Sequence, residues 1–190
     1  MNIALFGTSA DPPTAGHQKI IKWLSENYDW VAVWAADNPI KEQQTPLGHR
    51  AAMLQLLISD IRPPSDKLNN IILAQELSSW RTLETLERAK LKWGNDVKYT
   101  LVIGSDLVNQ LPRWYRVRDL LEQVQLLVIP RPGYIIEDDS LHKIRQLGGK
   151  MVIASTKGLD VSSTNFRQQK NLQTLTASVI AYINRERLYI

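Results

Sequence analysis

Residues 3–17 have the sequence I-A-L-F-G-T-S-A-D-P-P-T-A-G-H, which carries the strongest indication of fold and function in the chain. Residues 3–6 are a short apolar run, which predicts a buried β-strand. Apolar residues then recur at helical spacing from Ile20 to Leu24, so we expect a helix that His17 opens. The start of a helix attracts phosphate, because its first N–H groups have no intrahelical partner and the helix dipole is positive there. This segment therefore predicts a phosphate site after the first strand.

The loop itself supplies polar groups for such an anion. Thr14 adds a hydroxyl and His17 adds an imidazole. The loop has neither the G-x-G-x-x-G spacing of dinucleotide-binding folds nor the G-K-[ST] ending of P-loops. A nearby phosphate favours the charged form of an imidazole, whose reference pKa is about 6.5, so we expect His17 to be a charged donor.

The composition fits one folded enzyme domain. The chain has 190 residues, of which 44% are hydrophobic, so we expect a single domain with one substantial core over residues 1–190. It has no cysteine, which excludes disulfide and zinc–thiolate chemistry and fits a cytoplasmic location. We expect no signal peptide and no membrane partner, because the first residues form a strand and no apolar run approaches the roughly 20 residues that span a bilayer. The net charge of +4 suits an anionic ligand such as a nucleotide or nucleic acid, although scattered basic residues are equally typical of a solvated surface.

Strand and helix patterns alternate along the chain. Apolar, strand-like runs follow the first strand at residues 31–35, 71–74, 99–103, 126–129 and 151–154. Helical patterns lie between these runs at residues 18–26, 50–59, 83–93, 117–122 and 140–147. This alternation predicts an α/β fold, a Rossmann-like, doubly wound parallel sheet with helices on both faces. We interpret residues 62–66, R-P-P-S-D, as an exposed turn rather than a domain boundary.

Residues with useful chemistry follow several of these strands. In a parallel sheet with right-handed crossovers, the loops after the strands meet at the carboxyl edge, where ligands bind. Besides Thr14 and His17, these loops contain Asn38 and Lys41 after the second strand, Gly104, Ser105 and Asp106 after the fourth, and Arg131 after the fifth. Folding does not require such convergence, so it favours a functional site at this edge.

A second motif, V-S-S-T-N-F-R, lies at residues 161–167. Ser162 or Ser163 is a good N-cap, and Arg167 then lies about one turn into a short helix. Hydroxyls, unpaired N–H groups and a guanidinium at one helix start suit a phosphate. Alone, the motif fits an ordinary capped helix with a surface arginine equally well. Its occurrence together with T-x-G-H favours the phosphate site.

With these motifs the chain resembles the nicotinate- and nicotinamide-nucleotide adenylyltransferases of the T/H-x-G-H nucleotidyltransferase superfamily. The resemblance extends over residues 3–190. It also includes N-P-I-K at 38–41 with H-R at 49–50, W-R-T-L-E-T-L at 80–86, I-G-S-D at 103–106, L-P-R-W-Y at 111–115, R-P-G at 131–133 and an apolar final helix that takes in residues 179–183 and 188–189. Thr14 replaces the first histidine of the usual bacterial motif, and Trp80 stands where bacterial members more often have S-Y-T.

The resemblance implies an activity and its requirements. Such an enzyme transfers AMP from ATP to nicotinate mononucleotide, releases pyrophosphate and forms deamido-NAD in NAD biosynthesis. Mg²⁺ is the expected cofactor, bridging the phosphates of ATP with few protein ligands, so no metal-binding residues are assigned. The expected partners are ATP and nicotinate mononucleotide (or nicotinamide mononucleotide), with no nucleic acid and with a homo-oligomer possible.

The resemblance also assigns residues to three roles. The catalytic residues are His17, Lys41 and Arg167. The ATP-binding residues are Gly7, Thr8, Ser9, Thr14, His17, Gly104, Asp106, Arg131, Ser162, Ser163, Thr164 and Arg167. The residues that bind the pyridine mononucleotide are Asn38, Trp80, Thr82, Thr85, Trp114 and Tyr115.

Other candidate residues favour structural roles. We expect His49 and Arg50 to orient or cap the next helix, and His142 to be solvated. Asp106 also suits a helix N-cap, which is compatible with accepting a ribose hydroxyl. Four tryptophans are expected to pack in the core or on helix faces: Trp23, Trp30, Trp34 and Trp93.

Several alternative functions remain open at this point. Within the same class, the acceptor is nicotinamide mononucleotide, both mononucleotides, or another phosphate such as phosphopantetheine, with adenylyl or cytidylyl transfer. From another class, the chain is a nucleotide sensor without activity or a module that binds nucleic acid. A sensor is expected to lack His17 or Arg167, and both are present. A nucleic-acid module needs a basic stripe with interleaved aromatic residues, which only residues 113–118 resemble.

Overall fold

A six-stranded parallel sheet forms the centre of the computed structural model, which describes residues 1–38, 41, 43–62, 69–156 and 161–190. The strands lie in the order β3-β2-β1-β4-β5-β6, and every neighbouring pair is parallel. Their bounds are β1 Asn2–Thr8, β2 Trp30–Ala35, β3 Ile71–Leu73, β4 Lys98–Gly104, β5 Gln125–Ile129 and β6 Lys150–Ile153. This is the doubly wound order, in which the chain direction across the sheet reverses between β1 and β4. The predicted fold class is confirmed.

Helices follow the strands at the predicted places. Their bounds are α1 Ala15–Asn27, α2 Leu47–Ser59, α3 Thr82–Trp93, α4 Val117–Leu121, α5 Asp138–Gln146, α6 Ser163–Gln169 and α7 Ala177–Glu186. Short 3₁₀ turns lie at Gln75–Leu77, Ser105–Leu107, Leu111–Arg113 and Leu172–Thr174. The predicted turn at residues 62–66 begins at the exposed Arg62, and its other residues lie outside the described ones. In the described part of the chain, no helix has both the length and the apolar character that a membrane crossing needs.

The sheet is covered on both faces because alternate residues of its strands point to opposite sides. On one face, Ala4 and Phe6 of β1 pack with apolar residues of α1, α2, α6 and α7. On the other face, Ile3 and Leu5 pack with residues of α3, α4 and α5. A strand that is buried on both faces needs a continuous apolar run, which residues 3–6 provide.

Three local expectations need correction. Helix α1 begins at Ala15 rather than at His17, because Thr14 is its N-cap and His17 completes the first turn. Trp30 is 37% exposed, since it is the first residue of β2 and lies at the rim of the sheet. The final helix ends at Glu186, so residues 188–189 lie beyond it. Of the other tryptophans expected to pack, Trp34 is buried, and Trp23 and Trp93 pack against the two cores.

Candidate active site

The first turn of α1 fixes the orientation of His17. Its Nδ1 atom accepts the backbone N–H of Thr14 at 3.0 Å and lies 3.0 Å from the Thr14 hydroxyl. This is a capping box in which histidine takes the place of the usual glutamate. Because Nδ1 is an acceptor, the proton of the neutral ring is on Nε2, which remains free to donate.

The surroundings of His17 favour its neutral form at physiological pH. Burial, and then the positive charge of Arg131, lower the pKa of His17 to about 4. A charged imidazole would also lose the bond that Nδ1 accepts from Thr14. The surrounding residues by themselves therefore favour a neutral Nε2–H donor, and the charged donor expected beside a bound phosphate stays a prediction.

The two predicted phosphate motifs lie against each other. A Cβ atom on Gly16 would be 3.1 Å from Cγ2 of Val161 and 3.3 Å from the carbonyl oxygen of Val161. The glycine of T-x-G-H therefore lets α1 approach the segment that leads into α6. The Ser163 hydroxyl donates to the carbonyl oxygen of Pro12 at 2.8 Å and ties the same two segments together. Residues far apart in the sequence thus form one group at the carboxyl edge.

Arg167 reaches back from α6 to the loop after β1. Its Nη1 atom donates to the backbone carbonyl of Asp11 and lies 3.7 Å from Oδ2 of the Asp11 carboxylate. Its Nη2 atom donates to the Thr164 hydroxyl at 3.4 Å. The side chain is 39% exposed, so the guanidinium has donors left for a ligand. The N-cap of α6 is Ser162, whose hydroxyl accepts the N–H of Asn165 at 3.1 Å.

Asp106 and Arg131 form an ion pair after β4 and β5. Nη1 of Arg131 donates to Oδ2 of Asp106 at 2.9 Å. The other carboxylate oxygen, Oδ1, is buried and has no hydrogen-bond partner among the described residues. Gly104 makes room for this pair, because a Cβ there would be 2.3 Å from Oδ1 of Asp106. Asp106 is not the expected N-cap, because Gly104 occupies that position in the 3₁₀ turn. The unpaired Oδ1 atom of Asp106 can accept a hydrogen bond from a ligand hydroxyl.

The loops after β1 and β2 are tied together. The ammonium of Lys41 donates to the Ser9 hydroxyl at 2.8 Å. The Arg50 guanidinium is buried and donates to the carbonyl oxygens of Ser9, Ala36 and Thr45 at 2.8–2.9 Å. Arg50 therefore positions these loops.

The remaining predictions for this region have separate outcomes. His49 contacts Tyr182 through Nδ1 at 2.9 Å, which fits the structural role expected of it. The carbonyl oxygen of Asn38 accepts the N–H of Lys41 at 3.1 Å, while residues 39 and 40 of the N-P-I-K motif lie outside the described residues. Gly7 and Thr8 belong to β1 rather than to the loop. A Cβ on Gly7 would be 2.6 Å from the Trp34 ring, so close packing is by itself a sufficient reason for glycine at this position.

Aromatic residues at the predicted pyridine side surround an arginine. The Arg81 guanidinium lies 4.6 Å from the Trp80 ring centroid and 4.2 Å from the Tyr115 ring centroid. It also pairs with Glu84 at 3.3 Å. Both rings are open to a ligand, since Trp80 is 62% exposed and Tyr115 is 48% exposed. An aromatic pair that holds a planar cation in this way is also suited to a pyridinium ring.

Other predicted residues of the pyridine side are more enclosed. Trp114 is half-buried and packs against the core beside α3 and α4. Thr82 is half-buried, and Thr85 is buried in the first turns of α3. A surface cavity of about 460 Å³ lies between the loop after β2 and the start of α3, and its lining includes Asp37, Ser79 and Trp80 but none of Trp114, Thr82 and Thr85. Its volume is within the range of small-molecule sites, so this side of the edge has room for a second ligand.

Residues 5–169 match the sequence model of the cytidylyltransferase-like family. The chain belongs to this family. It is 42% identical over 202 residues to a probable nicotinate-nucleotide adenylyltransferase of Synechocystis sp., covering 100% of this chain and 99% of that protein. It is 29% identical to the nicotinate-nucleotide adenylyltransferase of Bacillus subtilis, covering 88% of this chain and 84% of that protein. The Plasmodium falciparum nicotinic acid mononucleotide adenylyltransferase, solved in complex with NaAD, has the same fold, with a TM-score of 0.80 at 21% identity over 99% of this chain and 97% of that one.

In this member of the cytidylyltransferase-like family, three residues near the motifs escaped the sequence assignments. Asp11 lies inside the quoted loop but has no obvious phosphate role, because it is an acid. Arg81 lies inside W-R-T-L-E-T-L, where the tryptophan beside it is the more conspicuous residue. Tyr189 lies beyond the last helix and contacts Asp11. The positive charge of Arg81 next to Trp80 was the available signal for that residue, whereas nothing in the sequence links Tyr189 to Asp11.

Proposed function

We propose that the protein transfers the adenylyl group of ATP to nicotinate mononucleotide, forming deamido-NAD and pyrophosphate. The observation that carries this proposal is the contact between T-x-G-H and S-S-T-x-x-R, which combines two phosphate-binding helix starts into one site. The relative at 42% identity over the whole chain is a probable nicotinate-nucleotide adenylyltransferase, which supports the choice of substrates.

The chemistry requires alignment more than covalent help from the protein. An oxygen of the mononucleotide phosphate attacks the α-phosphorus of ATP in line. The bond between the α-phosphorus and the oxygen that bridges the α- and β-phosphates breaks, and pyrophosphate leaves with the electron pair of that bond. Negative charge spreads over the phosphate oxygens in the transition state, so positioned donors supply most of the catalysis.

His17 donates to that developing charge. Its Nδ1 is held by the first turn of α1, so Nε2–H points to a fixed place at the helix start. A neutral donor needs no proton uptake before ATP binds. The Thr14 hydroxyl lies against the same ring and restricts its rotation.

Cationic groups hold the tail of ATP. Lys41, which lies beside Ser9, and Arg167, which lies beside Asp11, receive the β- and γ-phosphates as pyrophosphate forms. Asp106 accepts a ribose hydroxyl through its unpaired Oδ1 atom. The other groups proposed for ATP are Gly7, Thr8, Ser9, Thr14, Gly104, Arg131, Ser162, Ser163 and Thr164.

A divalent metal ion is expected for a nucleotidyltransferase, and we propose Mg²⁺. When bound, it would neutralise part of the negative charge on the phosphates of ATP and so favour attack by the second anion. The described residues include no group of three or more acidic or histidine side chains that could hold a metal. The oxygen donors that this edge offers fit an ion that ATP itself brings, with water completing its shell.

The pyridine ring binds at the aromatic side of the edge. We propose that Trp114 stacks on the ring, with Asn38, Trp80, Thr82, Thr85 and Tyr115 around the mononucleotide. Stacking alone does not distinguish an acid from an amide of the same shape. Backbone N–H groups near Trp114 would favour the carboxylate, because its oxygens only accept, whereas an amide NH₂ facing them stays unpaired.

Specificity constants for the two mononucleotides under identical Mg·ATP test this function. Hydrogen bonds to a charged group contribute about 1.5–3 kcal/mol, so the acid is expected to be preferred by on the order of tenfold to a hundredfold. Trp114→Ala is expected to weaken the binding of both mononucleotides and to preserve the ratio of their specificity constants. A ratio near one, or one that favours the amide, would contradict the proposed preference and point to the Trp80 side of the pocket as the determinant.

A further inference from the structure

The segment after α7 folds back onto the phosphate loop. The Tyr189 hydroxyl donates to Oδ1 of Asp11 at 2.6 Å, across 178 positions of sequence. Its ring meets Phe166 of α6 edge-on at 5.8 Å, and its backbone carbonyl accepts from the ammonium of Lys170. Tyr189 thus contacts the loop after β1 and the helix that carries Arg167.

Asp11 is shared between Tyr189 and Arg167. The residue is 3% exposed, so its carboxylate needs partners inside the protein. One oxygen accepts the Tyr189 hydroxyl, and the other lies 3.7 Å from the Arg167 guanidinium. That distance is longer than a hydrogen bond, so the guanidinium is held mainly through the Asp11 carbonyl and Thr164.

Tyr189 is held in place against its own backbone preference. Its φ is +58°, in the left-handed region that side chains other than glycine seldom adopt, and Arg187 has a φ of +53°. Such a conformation persists where surrounding contacts determine it. Burial, and then the bond to Asp11, raise the pKa of Tyr189 well above its usual range, so its hydroxyl remains a donor at physiological pH.

We propose that Tyr189 is a positioning residue for ATP: by donating to Asp11 it fixes the carboxylate beside Arg167, and so it sets where Arg167 meets the triphosphate. The inference rests on the proposed role of Arg167. Without the hydroxyl, Oδ1 of Asp11 is left unpaired in a buried place. The carboxylate then turns to the nearest cation, which is Arg167, and draws the guanidinium away from the phosphates.

The substitution Tyr189→Phe tests this directly, because it keeps the ring against Phe166 and removes only the hydroxyl. The dissociation constant of Mg·ATP, measured by calorimetry on the full chain, is expected to rise on the order of tenfold, the usual effect of losing a hydrogen bond to a charged group. KM for ATP is expected to rise with it. KM for nicotinate mononucleotide at saturating ATP is expected to stay within about twofold, because Tyr189 acts only through Asp11 and Arg167.

Tyr99→Phe is the matched control. Tyr99 is buried near the amino end of β4, where its hydroxyl donates to the carbonyl oxygens of Gly94 at 2.7 Å and Ala89 at 3.2 Å. Removing this hydroxyl is expected to lower the unfolding temperature without changing ATP affinity. An equal loss of ATP affinity in both variants would show a general effect of stability and overturn the proposal.

A second variant, Asp11→Ala, removes the side-chain acceptor and so breaks the same hydrogen bond from the other side. If Tyr189 acts through Asp11, the double variant binds ATP no more weakly than the worse single variant. Additive losses, or wild-type ATP affinity in Tyr189→Phe, would overturn the positioning role. Because ATP binding is read without turnover, the outcome is separable from the proposed function: wild-type protein that binds Mg·ATP but releases no pyrophosphate would refute the transfer reaction alone.

Discussion

His17 combines two roles in one ring, since Nδ1 caps the first turn of α1 and Nε2 is the proposed donor to the substrate. Replacing His17 with alanine removes a donor aimed at the transition state. By comparison with the loss of an oxyanion donor, kcat is expected to fall roughly 10²–10³-fold, while the affinity for the mononucleotide changes less. His142→Ala, on the exposed side of α5, is the control. Near-normal turnover of His17→Ala would remove this residue from the mechanism.

The protonation state of His17 can be measured on its own. Nitrogen-detected NMR of the free protein is expected to show the Nε2–H tautomer at pH 7 and a titration midpoint near the pKa of about 4 that burial and Arg131 impose. Assignment follows from loss of the signal in His17→Asn. A midpoint at or above the reference value of about 6.5 would contradict the lowered pKa.

The same pKa has a consequence for stability. The folded-state pKa of about 4 lies below the unfolded reference of 6.5, so the unfolded chain takes up this proton first as the pH falls. The contribution of neutral His17 to the free energy of unfolding is fully present above pH 6.5 and is lost as the pH falls through 4. In urea unfolding, the difference in free energy of unfolding between wild type and His17→Gln is expected to shrink over that interval. A constant difference would contradict the lowered pKa.

At the scale of elements, the contact between α1 and the segment before α6 holds the site together. Gly16→Ala places a methyl group 3.1 Å from Val161, which a packed contact accommodates only by a shift. The expected cost is about 1–3 kcal/mol in the free energy of unfolding, together with weaker ATP binding. Gly48→Ala in α2 is the control, because its methyl group would meet nothing within 4 Å. Equal ATP affinity in Gly16→Ala and wild type would show that the two motifs act separately.

The elements themselves were largely predictable from the sequence. Each predicted strand lies within a residue or two of its observed bounds, because buried parallel strands need continuous apolar runs. The start of α1 was harder to predict from the sequence, because Thr14 and His17 are typical of a loop until their reciprocal hydrogen bonds are known. The exposure of Trp30 depends on how far neighbouring helices extend over the rim, which its own strand pattern does not indicate.

At the scale of the whole molecule, the sequence motifs indicate the family but not the contacts that support the site. The α/β fold is confirmed by the parallel sheet, the membership of the cytidylyltransferase-like family by the family match, and the resemblance to adenylyltransferases by the relative of 42% identity. The individual site residues stay predictions. The bond from Tyr189 to Asp11 and those from Arg50 to Ser9 and Ala36 join distant segments. Such contacts depend on loop conformations that leave no periodic pattern in the sequence.

The amounts of dinucleotide and pyrophosphate formed test the proposed adenylyl transfer most directly. The full chain is incubated with Mg·ATP and nicotinate mononucleotide, and the dinucleotide and pyrophosphate are quantified together by chromatography. In-line attack on the α-phosphorus predicts equal amounts of the two products, and neither when one substrate is omitted. Arg167→Ala is expected to lower both products equally. Release of inorganic phosphate and ADP without dinucleotide, or no consumption of ATP, would contradict the account.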